Sequence, residues 1–135
     1  LVERDLLGRH RLRLDGEGDP FLPGDPGGDP AGLRGVASFH GNLDTPNPSD
    51  ARNIKAKVLV LHGADDPFVP PKDLAAFEDE MRQAKVDWQL VKYGGAVHSF
   101  TDWKADGSMK GAQYNEKADK RSWEDMKQFF AEIFK

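Results

Sequence analysis

An acidic pair and a histidine, each placed just after a short apolar run, are the residues of this chain best suited to chemistry. The pair lies in Val58-Leu-Val-Leu-His-Gly-Ala-Asp-Asp-Pro-Phe-Val-Pro-Pro71, and the histidine in Gly94-Gly-Ala-Val-His-Ser-Phe-Thr101. A general base needs a group that titrates near neutrality, which favours histidine. It also needs an acceptor on its second ring nitrogen to fix tautomer and orientation. His98 follows two glycines that let the chain turn an imidazole over the strand ends, and Asp66 would supply the acceptor from the neighbouring strand. Together they would be two members of a nucleophile–base–acid triad. Spacing alone leaves a second reading, a surface carboxylate and a structural loop histidine.

The elements that would position these residues begin at Leu33. Leu33 to His40 reads as a short buried strand closed by Gly41, and Asn42 to Asp50 is turn chemistry rich in Asn, Pro and Asp. Val58 to Leu61 is an apolar run too short for a helix and bounded by His62-Gly63, which makes it a buried strand. Pro70 and Pro71 suit a helix start, where a missing N–H costs nothing. Leu74, Phe77 and Met81 then give that helix, over 71–84, its buried stripe. Val86 to Tyr93 sets Val86, Trp88 and Leu90 on one face of a third strand. A last helix over 116–134 is expected to bury Trp123, Met126, Phe130 and Ile133. Strand, strand, helix, strand, helix is the end of a three-layer α/β sheet, three-stranded and mainly parallel. In such sheets functional groups sit beyond the carboxyl ends of the strands, where both candidate residues fall.

Residues 1–32 differ from the remainder. Asp15-Gly-Glu-Gly-Asp-Pro-Phe-Leu-Pro-Gly-Asp-Pro-Gly-Gly-Asp-Pro-Ala-Gly32 is dense in residues that break helices and strands, and Arg4 to Arg13 is basic without a clean period. The expectation is an irregular segment over 1–32 and a folded portion over 33–135. With 135 residues the chain can bury one core, yet it is short for a complete doubly wound hydrolase. The net charge of −4 argues against a nucleic-acid groove. No apolar run approaches the roughly twenty residues that span a membrane, and no signal-peptide pattern opens the chain. A cytoplasmic protein is the default expectation, although Leu1 in place of an initiator Met leaves the true start open.

Several segments resemble the dienelactone hydrolase family of α/β-hydrolases. Leu61-His-Gly-Ala-Asp-Asp-Pro-Phe-Val-Pro70 is similar to its acid motif and Ala96-Val-His-Ser-Phe-Thr101 to its histidine motif. Gly35-Val-Ala-Ser-Phe-His-Gly41 and the stretch from Gly111 to Trp123, with Tyr114, Ala118 and Trp123, resemble its flanking segments. The motifs occur in the family's order from Leu33 to the C-terminus, so the resemblance implies the C-terminal portion of a doubly wound α/β-hydrolase sheet, incomplete at this length. It implies that Asp66 and His98 are the catalytic acid and base, with Asp65 as the competing acid. It also implies a small-molecule ester or lactone as substrate and no metal or organic cofactor.

The family's nucleophile is usually a cysteine in a Gly-x-Cys-x-Gly-Gly turn between a strand and a helix, and this chain has no cysteine. None of its serines stands in such a turn: Ser38 lies in a strand, Ser49 in a turn, Ser99 beside His98, Ser108 after the histidine and Ser122 on the last helix. Where the family carries its elbow, this chain reads Arg4-Asp-Leu-Leu-Gly-Arg-His10. Codons for those residues, read one nucleotide later, can spell Gly-Ile-Cys-Ser-Gly-Gly-Thr. A reading-frame error or decayed gene is therefore one expectation for the coding sequence.

Other residues carry less. His40 and His62 each precede a glycine at a strand end, where a structural role is expected. The four histidines show no His-x-x-x-His spacing, which argues against a zinc site. Trp88, Trp103 and Trp123 suit core or rim positions, and Trp103 could line a substrate cleft. The competing functions are an ester or lactone hydrolase of the dienelactone type, an inactive α/β remnant or binding module, and an unrelated small binding domain. An open sheet edge would also invite self-association. No nucleic acid and no membrane are expected as partners.

Overall fold

The computed structural model describes residues 2–4, 10–12 and 33–135. Five strands form one sheet: β1 (Val2–Arg4), β2 (His10–Leu12), β3 (Gly35–Phe39), β4 (Lys57–Gly63) and β5 (Trp88–Tyr93), in spatial order β1-β2-β3-β4-β5. Two α-helices follow from β4 and β5, α1 (Pro71–Ala84) and α2 (Glu116–Ile133), and a short 3-10 helix covers Pro48–Asn53. β3, β4 and β5 are parallel, with Ala37 opposite Leu59 and Leu59 opposite Gln89. This is the three-stranded parallel core that the sequence pattern predicts.

β4 lies at the centre of the core and is buried on both faces, as its continuous apolar run requires. Val58 and Val60 point to one face and meet Leu74, Phe77 and Met81 of α1. Leu59 and Leu61 point to the other and meet Ala118 and Met126 of α2, together with Ala37, Phe39, Tyr93 and Phe100. Helix, sheet and helix make three layers. Burying side chains of this size stabilises the fold by about 1.5–3 kcal/mol each. Pro71 starts α1, and Lys85 ends it in the left-handed region at φ 58°, its N–H reaching the carbonyls of Arg82 and Met81. Asn115 caps α2 by accepting from Ala118 N.

The last helix departs from expectation in one respect. Its buried positions are Ala118, Ser122, Met126 and Ile133, whereas Trp123 is 46% exposed. The stripe toward the sheet is small in its first half, at Ala118 and Ser122, and large in its second, at Met126 and Ile133. At Gly35 on β3, an added Cβ would come within 2.6 Å of the Ile133 side chain. Trp123 stands one residue off the stripe, beside the buried Ser122, and faces outward. Phe130 is only partly buried and packs at the border of the core.

At the other edge of the parallel core the sheet continues. β2 pairs antiparallel with β3 through Arg11 and Ser38, and β1 pairs antiparallel with β2. An irregular course was expected there, and residues 2–4 and 10–12 are strand instead. The Gly/Pro/Asp-rich stretch over 15–32 lies outside the described residues.

Candidate active site

Both motif loops leave the carboxyl end of the parallel sheet. After β4 the chain turns at once: Asp66 N donates to Gly63 O at 3.1 Å, so the acid sits at the close of a tight turn. After β5 it turns through Gly94-Gly95, and the two turns are tied together. Asp65 N donates to Ala96 O at 2.9 Å, and Gly95 N donates to the Asp65 carboxylate at 2.8 Å. Gly63 makes this approach possible. A Cβ there would lie 2.6 Å from Val97 O and 2.7 Å from Ala96 O, so the histidine loop rests directly on the end of β4.

The result brings Asp66 and His98 together. His98 Nδ1–H donates to Asp66 Oδ2 at 2.9 Å, since a carboxylate can only accept. Asp66 Oδ1 accepts from Phe68 N at 2.8 Å, so both carboxylate oxygens are engaged. The Asp66 side chain is fully buried, and that of His98 is 15% exposed. Burial pushes the Asp66 carboxyl upward, but the His98 hydrogen bond, the Phe68 N–H and the charges of His98 and His62 outweigh it. The carboxyl is held below its usual range. Asp65, the competing acid, is exposed and serves the turn-to-turn link just described.

His98 is fixed along its backbone as well. Its N–H donates to Gly111 O at 3.0 Å and its carbonyl accepts from Gln113 N at 3.0 Å, so the strap 111–113 runs beside the loop. Gly111, at φ 91°, lets that strap pass over Pro67, whose side chain a Cβ would meet at 2.5 Å. Around the imidazole stand two more rings, each edge-on with a centroid separation of 5.3 Å: Phe68, itself 47% exposed, and the buried His40.

Sequence reasoning gave His40 and His62 only strand-end roles. Both are fully buried at the same end of the sheet as the dyad. His40 Nε2 shares a 2.9 Å hydrogen bond with Thr101 Oγ1. His62 Nδ1 has no hydrogen-bond partner among the described residues, and burial pushes its pKa below the usual imidazole value. The signal for His40 was available only as its position, one residue before the glycine that closes β3. Trp103, expected near a cleft, is 74% exposed, and its indole N–H donates to Asp119 of α2 at 3.1 Å.

The serines stand as their sequence settings imply. Ser38 is in β3, Ser49 in the 3-10 helix, Ser108 in an exposed loop, and Ser122 is buried on α2, donating to Asp119 O. Ser99 has the left-handed backbone of an elbow, at φ 57°, but it is buried and followed by a loop rather than a helix. No cluster of metal-binding side chains occurs among the described residues. Among the described residues, no helix is long and apolar enough to cross a membrane.

A parallel α/β sheet with an acid and a histidine on successive strand ends defines an α/β-hydrolase architecture, here in its C-terminal part. The sequence profile of the dienelactone hydrolase family matches residues 27–134, and the chain belongs to that family. It is 37% identical over 106 residues to an uncharacterized protein of Caenorhabditis elegans, covering 76% of this chain and 66% of that one. Among solved structures it is similar to m3DLH, with 42% identity and a TM-score of 0.71 over 76% of this chain and 43% of the other. It is equally similar to P91, a dienelactone hydrolase-like promiscuous phosphotriesterase from metagenomic libraries. That match has 42% identity and a TM-score of 0.70 over 76% of this chain and 44% of the other. The chain thus spans just under half the length of these solved structures.

Proposed function

We propose that Asp66 and His98 are the acid and base of a Cys-His-Asp hydrolase acting on carboxylic esters or lactones. The observation that carries this reading is the 2.9 Å bond between a fully buried carboxylate and a partly exposed imidazole. Asp66 holds Nδ1 protonated, which leaves Nε2 to take a proton from a nucleophile and return it to the leaving alkoxide. Asp66 also stabilises the imidazolium formed in between. The nucleophile is the member this chain lacks, for it has no cysteine.

The same absence favours a second reading for the 135-residue polypeptide by itself, that it is an inactive remnant or a binding module. A dyad without a nucleophile gives only general-base help to water, and one oxyanion-hole N–H belongs to the residue after the nucleophile. Negligible hydrolysis of p-nitrophenyl esters is expected from the chain as written. The assay should also include a lactone, and a phosphotriester in view of the P91 likeness.

Reading-frame correction that supplies a Gly-x-Cys-x-Gly-Gly segment should restore turnover. His98→Ala should then abolish it, and Asp66→Asn should lower kcat by roughly 10⁴-fold, because the imidazole loses its tautomer. Asp65→Asn should retain most of the rate. Robust turnover by the uncorrected chain that survives His98→Ala would overturn the assignment. A larger loss from Asp65→Asn than from Asp66→Asn would transfer the acid role.

A further inference from the structure

We infer that His40 is a positioning residue for His98, acting with Thr101 as a clamp that ties the histidine loop to β3. The inference rests on the acid–base reading of Asp66 and His98. A base carried on a loop must be held to a fraction of an ångström to be effective. Asp66 fixes one ring nitrogen from the end of β4, and the strap 111–113 fixes the main chain. His40 supplies the third hold, from the next strand over.

Its placement is specific. The His40 ring is fully buried, edge-on to both His98 and Phe100 with centroid separations of 5.3 Å each. Its Nε2 bonds Thr101 Oγ1 at 2.9 Å, and Thr101 is itself buried. Between His98 and Thr101 the loop turns tightly, with Ser99 at φ 57° and Asp102 N donating to Ser99 O at 2.9 Å. The His40–Thr101 bond therefore anchors the far end of this turn to β3, while Asp66 holds its near end from β4.

His40 also adopts φ 39°, in the left-handed region that side-chain-bearing residues seldom occupy. Such a conformation persists only where its surroundings over-determine it. An apolar residue of similar volume would fill the same space and contact the same rings, but it could not bond Thr101. Histidine does both, as ring packing and as a tether.

The test reads His98 directly by NMR of the 135-residue chain labelled with ¹⁵N in its histidine rings. At neutral pH, the Nδ1–H bonded to Asp66 should give a downfield proton protected from exchange with water. Thr101→Val should broaden that signal beyond detection, whereas Thr101→Ser should keep it. The double variant His40→Phe, Thr101→Val removes both partners of the clamp bond together, so neither is left buried without the other. It should stay folded by circular dichroism and still lose the signal, which a merely space-filling His40 would not cause. Asp66→Asn should remove the signal in every background. A signal that Asp66→Asn leaves untouched would overturn the acid–base reading, and the clamp with it. A signal lost in Asp66→Asn but kept in the folded double variant would overturn the clamp alone.

Discussion

The two ends of the parallel sheet are built from the same three strands and differ in what they bury. At the carboxyl end, His40, His62, Asp66, Ser99 and Thr101 are all buried, and two residues with side chains, His40 and Ser99, hold left-handed backbone. At the amino end the charged groups stay in water. Lys57 pairs with Asp87 at the surface, and Arg34 lies over the Phe134 ring while donating to Ile133 O at 2.7 Å. The left-handed Lys85 near that end is a helix C-cap, an ordinary use of the conformation. Burying polar groups and straining backbone each cost free energy that apolar packing elsewhere must offset. The chain concentrates those costs where the acid and base meet, and the rest of the sheet is plain core.

The sharpest way to break this contrast is Gly63→Ala. The new Cβ would press on the carbonyls of Ala96 and Val97, which are backbone and cannot swing aside. Relief requires the histidine loop to lift off the end of β4. A loss of about 1–3 kcal/mol in a urea melt is expected, the usual range for overpacking. Local separation of His98 from Asp66 should accompany it, seen as loss of the shielded His98 Nδ1–H. A glycine-to-alanine change that left both stability and that proton intact would mean the two loops are not in the contact described.

How far these features are legible in the sequence follows from what kind of interaction makes them. β4 was legible because a run of four apolar residues bounded by His62-Gly63 fits only a strand buried on both faces. α1 was legible because Leu74, Phe77 and Met81 are large and periodic. The stripe of α2 is legible at Met126 and Ile133 but not at its start, where the buried Ala118 and Ser122 are small and a hydrophobic period drawn through the exposed Trp123 looks stronger. The strands β1 and β2 were missed because pairing partners supply what their composition does not announce. Asp66 and His98 were legible as motif residues on adjacent loops. The strap over 111–113 was not, since it holds His98 through main-chain bonds that leave no mark on side-chain identity. The His40–Thr101 bond joins residues 61 apart in sequence, and nothing local to either one predicts the other.

A second prediction uses pH to separate the two ends. His62 is buried, and its pKa is lowered, chiefly by desolvation and further by Lys92 and His98, against an opposing pull from Asp66. Its folded pKa lies below the unfolded value of 6.5, so between the two the unfolded chain holds a proton that the folded chain does not. Stability should therefore be fully present above pH 6.5 and decline as pH falls below it toward the folded pKa. The Asp66 contribution acts lower down, lost as pH drops below its unfolded value of 3.8 through its depressed folded pKa. Urea midpoints measured from pH 7.5 to 4.5 should fall in the parent and flatten in His62→Gln. A parent profile already flat across that window would show that His62 is solvated enough to titrate normally.

The smallest effect should come from the amino end. Lys57 and Asp87 are joined by a hydrogen-bonded ion pair, and the Lys57 pKa is raised by that hydrogen bond and by the charge of Asp87. Their side chains are 40% and 68% exposed, so water and salt screen the pair and holding two mobile side chains together offsets most of its attraction. Lys57 is also the first residue of β4, where its main chain already bonds to Arg34 O and sets the register without help from its ammonium group. Lys57→Met keeps the aliphatic stem and removes only the charge. Its urea midpoint at physiological salt should match the parent within error, and any difference seen at low salt should vanish as salt is raised. A salt-insensitive loss as large as that of Gly63→Ala would place a structural charge cluster at the amino end. The contrast between the two ends of the sheet would then fail.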